Sequence, residues 1–382
     1  MSSIVKEVFR VLTNLNLKHR FRMGIGLILS ILFPKKEGLM IFTTSLGRFA
    51  QNSKYMFLES SEQTDIDAVW INNDNEVIDT LSDKGYRAIN ANSLKAKYLI
   101  LRAEYVIFDN YIPSSLDSWL YLGSKKVNLW HGVPYKKIKN HREIDGKLIS
   151  FLSNIYHNTF TKPDYFLETN RKYHNLYETI FRESKTIKAG YPRNDVFNNS
   201  IDGSELFAKN PPEEKYIVYM PTFRGYNEGE GIDGEVDLQD LDNFLGELNK
   251  KLILKPHHRF DLDGNFDNII IFEKDLDPYP LLKESEALIT DYSSVMFDYM
   301  HTGNPIIRFQ FDKKEYEEKR GLNNEIKDAV PGKEVKTIEE LKKALKNLDE
   351  INTDYQDNID EIFEYRKEGL QAPHILDQIR NS

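Results

Sequence analysis

A histidine suited to acid–base chemistry follows a short apolar run near the middle of the first half of the chain. His131 comes directly after the run that begins at Val127, and Gly132 follows it. A histidine titrates near neutral pH, so it can take a proton from a hydroxyl group that attacks a substrate. A histidine at the end of a strand can equally be structural, and His131 alone leaves both roles open.

A second cluster of histidines and cations lies in the other half of the sequence. His257 and His258 follow the apolar run that ends at Leu254, with Lys255 before them and Arg259 after them. This grouping predicts a pocket for negative charge. Two adjacent histidines could also bind a metal, but no acidic residue lies nearby at metal-ligand spacing, so we predict no metal site.

Two adjacent serines mark a third candidate position. The apolar run Ala287–Thr290 predicts a buried strand, and Asp291 and Tyr292 separate it from Ser293 and Ser294. Apolar residues then recur at helical spacing from Val295, so the serines fall where a helix begins. Free N–H groups and hydroxyls at a helix start can bind phosphate. An ordinary capped helix that binds nothing is the alternative.

Two further arginines follow turns that contain proline. Arg193 comes after Tyr191 and Pro192, and Arg224 comes three residues after Pro221. Either arginine alone is most simply a surface residue. Taken together, these arginines, histidines and serines indicate that one half of the chain supplies a base and that the other half binds phosphates.

Alternating strand and helix patterns indicate which elements position these residues. Apolar runs at 39–44, 68–71, 88–89, 105–108, 127–130 and 164–167 predict strands of a first half, and runs at 216–220, 252–254, 269–272, 287–290 and 306–307 predict those of a second. Helical stretches between them favour an α/β fold with parallel sheets. The polar segment 198–214 predicts the domain boundary, and 333–368 predicts charged helices.

Composition excludes several classes of protein. The chain has 382 residues, which suits two domains, and its net charge of −9 argues against a nucleic-acid-binding protein. The absence of cysteine excludes disulfides, thiol nucleophiles and cysteine metal sites, and it is consistent with a reducing compartment.

The first 36 residues differ from the rest of the chain. Residues 1–22 carry five lysines and arginines against one glutamate, and a short apolar run, 23–33, follows. That run is too short to span a membrane, which takes about 20 residues. Its basic flanks predict a segment that binds an anionic membrane surface, and a helix packed on the protein itself is the alternative.

The strand-end motifs occur together in the order typical of one family. The chain resembles the CDP-glycerol glycerophosphotransferase family, whose members prime and extend wall teichoic acids, in the segments Asn128–Ile138, Gly190–Asp195, Tyr219–Arg224, Lys255–His257 and Ile289–Asp298. The resemblance is looser at 41–52 and in the closing segment, and His258 stands where many members carry proline. The chain length resembles that of the single-module primases.

The resemblance implies a GT-B architecture, in which two Rossmann-like domains face a central cleft. We expect a membrane-surface segment at 1–36, an acceptor domain at 37–205, a donor domain at 206–365, and a closing helix at 366–382 that crosses back. The expected reaction transfers polyol phosphate from CDP-glycerol to a hydroxyl group of a lipid-linked disaccharide or polyol-phosphate acceptor and releases CMP. The resemblance further implies peripheral attachment to the cytoplasmic face of the membrane, without a cofactor or metal.

The resemblance also assigns roles to individual residues. The catalytic residues are His131, as the base, and His257, which also contacts the donor phosphates. The remaining donor-binding residues are Arg193, Asn194, Thr222, Arg224, Asp291, Ser293, Ser294 and Asp298, and the acceptor-binding residues are Gly47, Arg48, Asn52, Gly132 and Lys136.

Several questions stay open at the level of sequence. The donor could be CDP-ribitol instead of CDP-glycerol, and the same fold could serve a glycosyltransferase that uses a sugar nucleotide. The acceptor and the number of units added are not predicted, and neither is the oligomeric state.

Overall fold

The computed structural model describes residues 17–44, 47–110, 116–137, 162–181, 184–198, 214–222, 224, 236–256, 264–273 and 276–381. His257, His258, Arg259 and most of the polar segment 198–214 therefore lie outside the described residues. The predicted domain boundary at 205 stays a prediction for the same reason.

The first half of the chain forms a seven-stranded parallel sheet. Its strands are β1 (Lys36–Phe42), β2 (Asp67–Asn72), β3 (Ala88–Asn90), β4 (Ala103–Phe108), β5 (Lys125–Asn128), β6 (Tyr165–Glu168) and β7 (Lys185–Lys188). They lie in the order β3-β2-β1-β4-β5-β6-β7. The part β3-β2-β1-β4-β5 has the strand order of a Rossmann fold.

The second half forms a six-stranded parallel sheet of the same kind. Its strands are β8 (Tyr216–Met220), β9 (Lys251–Leu254), β10 (Ile269–Ile271), β11 (Ala287–Thr290), β12 (Ile306–Phe309) and β13 (Lys333–Val335). Their order, β10-β9-β8-β11-β12-β13, again has the Rossmann pattern. All four residues of β11 are buried, as expected for a parallel strand covered on both faces.

Helices connect the strands and cover the sheets. They are α1 (Leu17–Leu32), α2 (Gln51–Ser61), α3 (Asn75–Asp83), α4 (Leu94–Arg102), α5 (His174–Phe181), α6 (Leu238–Glu247), α7 (Tyr279–Glu284), α8 (Val295–Tyr299), α9 (Lys313–Lys319), α10 (Ile338–Lys346), α11 (Gln356–Ile362) and α12 (Gln371–Arg380). At the start of several helices, a side chain accepts a hydrogen bond from an N–H group that has no partner within the helix. Ser93, for example, accepts a hydrogen bond from the N–H group of Ala96.

The last helix returns to the first half of the chain. Asp195 accepts hydrogen bonds from the N–H groups of Gln371 (2.8 Å) and Ala372 (2.9 Å), at the start of α12. At the other end of the helix, Tyr105 donates a hydrogen bond to the carbonyl oxygen of Ile379. The return begins before residue 366, because Tyr365 already donates its N–H group to Thr169.

The predicted fold class is confirmed: two Rossmann-like parallel sheets in a GT-B arrangement. The predicted strands are present, but β7 and β13 were missed because each has only three or four residues and is rich in lysine. The stretch 333–368, predicted to be helical, therefore opens with a strand. The strand predicted at 127–130 ends at Asn128, because Trp130 has a positive φ of 53°.

Helix α1 packs on α4 beside the first sheet. Leu27, Ile28, Ile31 and Leu32 nonetheless leave more than half of their surface exposed. None of the described helices is both long enough and apolar enough to cross a bilayer.

Candidate active site

The two sheets meet at a cleft of about 370 Å³. The strand order reverses between β1 and β4 in the first sheet and between β8 and β11 in the second sheet. Open α/β sheets bind ligands in the crevice outside the carboxyl ends of the strands at such a point. The first half contributes residues that follow β1, β5 and β7, and the second half contributes residues that follow β8, β9, β10, β11 and α9. The lining residues are Arg48, Ala50, Gln51, His131, Lys136, Arg193, Met220, Pro221, Thr222, Lys255, Pro256, Leu276, Pro278, Tyr279, Ser293, Ser294, Val295 and Arg320.

The lining of the cleft is strongly cationic. Arg48, Lys136, Arg193, Lys255 and Arg320 contribute positive charge, and the described lining contains no aspartate or glutamate. Burial lowers the pKa of Lys136 to about 8, and the nearby charges of Arg320 and Arg224 act in the same direction. Positive charge is thus concentrated here although the whole chain is acidic, which suits an anionic ligand.

The backbone that carries His131 is fixed by hydrogen bonds from both sides. Asn52 donates its side-chain N–H to the carbonyl oxygen of Trp130 (2.7 Å), and Arg193 Nη1 donates to the carbonyl oxygen of His131 (2.9 Å). The amide N–H of Trp130 donates to the side chain of Asn128. The side chain of His131 is left exposed in the cleft.

The surroundings of His131 favour its neutral form. The dense protein around the ring lowers its pKa below the ordinary 6.5, and the positive charges of Arg193 and Lys136 add to that shift. A hydrogen bond with the backbone of Asp109 opposes the shift but does not cancel it. A neutral imidazole can accept a proton, so the position and protonation state of His131 both suit a general base.

We expect the acid limb of the pH–rate profile to lie below pH 6.5. The base acts when unprotonated, so kcat/KM should hold as the pH falls towards 6.5 and decline only as the pH passes through the lowered pKa of His131. Initial rates measured between about pH 3 and pH 8 at constant ionic strength give the midpoint. A midpoint at or above pH 7 would argue against His131 as the titrating base.

At Gly132 the loop of His131 approaches Ser294 of the second half closely. A Cβ atom added at Gly132 would lie 2.5 Å from Ser294 Oγ and 3.3 Å from an Arg193 side-chain nitrogen. Its φ of +150° is also unfavourable for residues with a side chain. Gly132 thus permits the close contact that shapes the cleft.

The substitution Gly132→Ala should reduce kcat/KM by about tenfold or more. Backbone strain of about 1–3 kcal/mol and displacement of Ser294 would both disturb the cleft. Steady-state kinetics with Gly24→Ala as the control test this, because a Cβ atom at Gly24 meets nothing within 4 Å. Equal rates in the two variants would show that the close approach is unimportant.

Ser293 and Ser294 both line the cleft, but Ser294 does not cap the helix as predicted. Helix α8 has only five residues, and among the described contacts the hydroxyl of Ser294 makes no capping hydrogen bond to it. Ser294 instead adopts a helical conformation, with φ of −65° and ψ of −10°. Ser293 Oγ accepts a long hydrogen bond (3.4 Å) from the N–H of Val295.

Arg193 lines the cleft, whereas Asp298 lies behind it, and the predicted contact of Asp298 with the donor stays a prediction. Arg193 Nη2 and Asp298 Oδ2 form an ion pair of 2.7 Å, with side-chain exposures of 2% and 0%. Tyr279 also donates its hydroxyl to Asp298 Oδ2 (2.8 Å). The buried carboxylate of the second half therefore fixes Arg193 of the first half, and Arg193 in turn holds the backbone of His131.

Other predicted binding residues also lie behind the cleft. Arg224 forms ion pairs with Asp291 (2.7 Å) and with Asp312. Asp291 also accepts a hydrogen bond from the N–H group of Thr222. Arg224 and Asp291 therefore shape the loop after β8 without lining the cleft. The remaining residues that do not line the cleft are Gly47, Asn52, Asn194 and Gly132. The predicted contacts of these residues with substrate stay predictions.

In addition to His131, Ser293 and Ser294, four of the predicted binding residues line the cleft: Arg48, Lys136, Arg193 and Thr222. Sequence reasoning missed Gln51, Tyr279 and Arg320, which line it as well. Arg320 follows a run of charged residues that reads as a solvated surface, and nothing nearby in the sequence marks Tyr279. His257 lies outside the described residues, although its neighbours Lys255 and Pro256 line the cleft, so its role stays a prediction.

Within the described ranges, no three histidine, aspartate or glutamate side chains come together as metal ligands. The predicted reaction without a metal remains a prediction.

A family model described as "CDP-Glycerol:Poly(glycerophosphate) glycerophosphotransferase" matches residues 27–368. The chain belongs to this family.

Several teichoic acid polymerases resemble the chain. It is 32% identical over 293 residues to the teichoic acid poly(glycerol phosphate) polymerase of Bacillus subtilis, covering 70% of this chain but only 38% of that relative. The corresponding polymerase of Bacillus spizizenii is 26% identical, with 91% and 93% of the two chains covered. The solved structure of the wall teichoic acid polymerase TagF has a TM-score of 0.73, 23% identity and coverage of 99% and 97%, which shows the same fold.

Proposed function

We propose that this protein transfers glycerol phosphate from CDP-glycerol to a hydroxyl group of a growing cell-surface polymer or its lipid-linked precursor, with release of CMP. The observation that carries the proposal is the exposed side chain of His131 in a cationic cleft that Ser293 and Ser294 also line. The family match over residues 27–368 supports the same reaction, and the family description names glycerol phosphate.

In the proposed mechanism the two halves divide the chemistry. Neutral His131 takes the proton from the acceptor hydroxyl, whose oxygen attacks the β-phosphorus of the donor. The bond from that phosphorus to the bridging oxygen breaks, and CMP leaves with the bonding electrons. Charge spreads over the phosphate oxygens as this occurs, and the surrounding cations stabilise it. Lys136, Arg193 and Lys255 line the cleft, and we assign this role to them.

A donor panel tests the proposal. The full chain is incubated with a lipid-linked acceptor and CDP-glycerol, CDP-ribitol or a UDP-sugar, with and without EDTA, and the released nucleotide is quantified. We expect CMP from CDP-glycerol, at a rate that EDTA does not change. Faster release from CDP-ribitol would reassign the polyol, UDP release would favour a glycosyltransferase, and loss of activity in EDTA would contradict the metal-free mechanism.

The substitution Ser294→Ala should weaken donor binding by about 1–3 kcal/mol, since a hydrogen bond to a charged phosphate oxygen is lost. Titration calorimetry with CDP-glycerol measures the change. Ser82→Ala is the control, because among the described contacts the Ser82 hydroxyl donates to the carbonyl oxygen of Ile78 in its own helix. An unchanged Kd for Ser294→Ala would remove this serine from the donor site.

We also propose that the protein binds the inner face of the cell membrane through α1 and α4. Leu27, Ile28, Ile31 and Leu32 of α1 are exposed, and Leu94 of α4 is 85% exposed. Arg22 of α1 is also exposed, and basic residues beside an apolar surface favour binding to anionic lipids.

Co-sedimentation with anionic vesicles tests this proposal. The wild-type chain should bind the vesicles, and the double variant Ile28→Ser/Ile31→Ser should bind them more weakly. Equal sedimentation of both proteins would contradict the proposal.

A further inference from the structure

A second cavity of about 370 Å³ lies beside the cleft and also joins the two halves. This volume is within the range of roughly 300–1,000 Å³ that is usual for small-molecule sites. The first half contributes Tyr135 and Lys137, from the segment that follows His131. The complete lining is Tyr135, Lys137, Arg308, Lys313, Glu317, Gly321, Leu322, Asn323, Asn324, Lys327, Val330 and Glu334.

A short antiparallel contact forms the wall between this second cavity and the cleft. Lys136 pairs with Leu322, and the N–H group of Lys137 donates to the carbonyl oxygen of Gly321 (3.1 Å). Successive side chains of extended backbone point to opposite sides. Lys136 accordingly lines the cleft and Lys137 lines the second cavity. The cleft and the second cavity therefore lie on either side of Lys136 and Lys137, which are five and six residues after His131, the proposed base.

The second cavity has an excess of positive charge. Lys137, Arg308, Lys313 and Lys327 line it, against the two acids Glu317 and Glu334. Glu334 is already paired with Lys313 (2.7 Å) and Arg308 (3.3 Å). Lys137 and Lys327 are exposed, so their charges remain accessible to a ligand. Asn324 adds an exposed amide that can hydrogen-bond a hydroxyl group.

We infer that the second cavity binds a polyol-phosphate unit already present in the acceptor, while the terminal hydroxyl group reaches His131 in the cleft. Cations for a phosphodiester and an amide for a hydroxyl match the chemistry of that unit. The inference rests on the proposed function, because it assigns a subsite to the proposed acceptor. A subsite of this kind favours acceptors that carry polyol phosphate over those that do not.

Kinetics with two acceptors test the inference. One acceptor ends in a hydroxyl group and carries no phosphate, and the other carries several glycerol phosphate units. For Lys137→Gln/Lys327→Gln we expect the KM of the phosphate-bearing acceptor to rise about tenfold, as for a lost charged hydrogen bond. The KM of the phosphate-free acceptor should move far less. Glu317→Gln should lower the KM of the phosphate-bearing acceptor, because it removes a negative charge from the same lining.

Lys314→Gln is the matched control. Lys314 is exposed on the same helix as Lys313 but does not line the second cavity. Equal KM values for Lys314→Gln and the double variant would overturn the inference, and so would an equal rise with both acceptors. Inorganic phosphate should compete with the phosphate-bearing acceptor in the wild type and lose that effect in the double variant. Competition that persists would show that the anion binds elsewhere.

Direct titration separates the inference from the proposed function. A short poly(glycerol phosphate) oligomer is titrated into the wild type and the double variant, and Kd is measured without turnover. Binding that weakens about tenfold supports the site even if CDP-glycerol gives no CMP. Unchanged binding overturns the site even if transfer from CDP-glycerol is fast.

Discussion

Replacement of His131 by alanine should lower kcat by about 10²–10⁴-fold, the usual contribution of a positioned general base. The imidazole is exposed in the cleft, and its lowered pKa keeps it unprotonated at neutral pH. Alanine removes the proton acceptor without removing the cationic lining. The Kd of CDP-glycerol should therefore change little while turnover is almost lost. Single-turnover CMP release and donor titration measure the two effects separately.

His374→Ala is the control for this experiment. His374 lies on α12, away from the lining of the cleft, and is partly exposed. We expect near wild-type turnover from it. Full activity in His131→Ala would exclude His131 as the base, and a loss of donor affinity equal to the loss of rate would make it a binding residue instead.

The substitution Asp298→Ala should lower the free energy of unfolding by about 3–5 kcal/mol. Removing one member of a buried ion pair leaves the other charge uncompensated, and Arg193 and Asp298 are buried together between the halves. Arg193 also holds the carbonyl oxygen of His131, so the variant should lose activity before it unfolds. Urea denaturation followed by circular dichroism, with parallel activity measurements, tests both consequences.

Asp79→Ala provides the comparison, since Asp79 is exposed on α3 and surface substitutions usually change stability by about 0.5 kcal/mol or less. A similar midpoint of denaturation for the two variants would show that the ion pair does not hold the halves together. A large loss of stability with unchanged activity would separate the ion pair from the positioning of His131.

The strand-end residues that line the cleft were predictable because parallel strands place their carboxyl ends at one edge of a sheet. His131, Thr222 and Ser294 all line the cleft, and the strands before Thr222 and Ser294 are mostly apolar. Similarly, the alternation of strands and helices was enough to predict both Rossmann-like sheets.

Residues behind the cleft could not be told from those that line it. Asp298 and Ser294 are four positions apart, yet one is buried against Arg193 from the other half and the other faces the cleft. That difference depends on how the halves dock, and contacts such as Lys54 with Asp277 (2.8 Å) join residues more than 200 positions apart. Local sequence patterns do not contain such pairings. Tyr279 was missed for the same reason.

The most direct test of the proposed reaction is the mass of its product. The wild-type chain is incubated with CDP-glycerol and a defined acceptor, and released CMP is compared with the mass gained by the acceptor. We predict one CMP for each glycerol phosphate added, with no gain in mass for His131→Ala. Release of CMP without any gain in acceptor mass, or a gain that corresponds to a sugar, would contradict polyol-phosphate transfer.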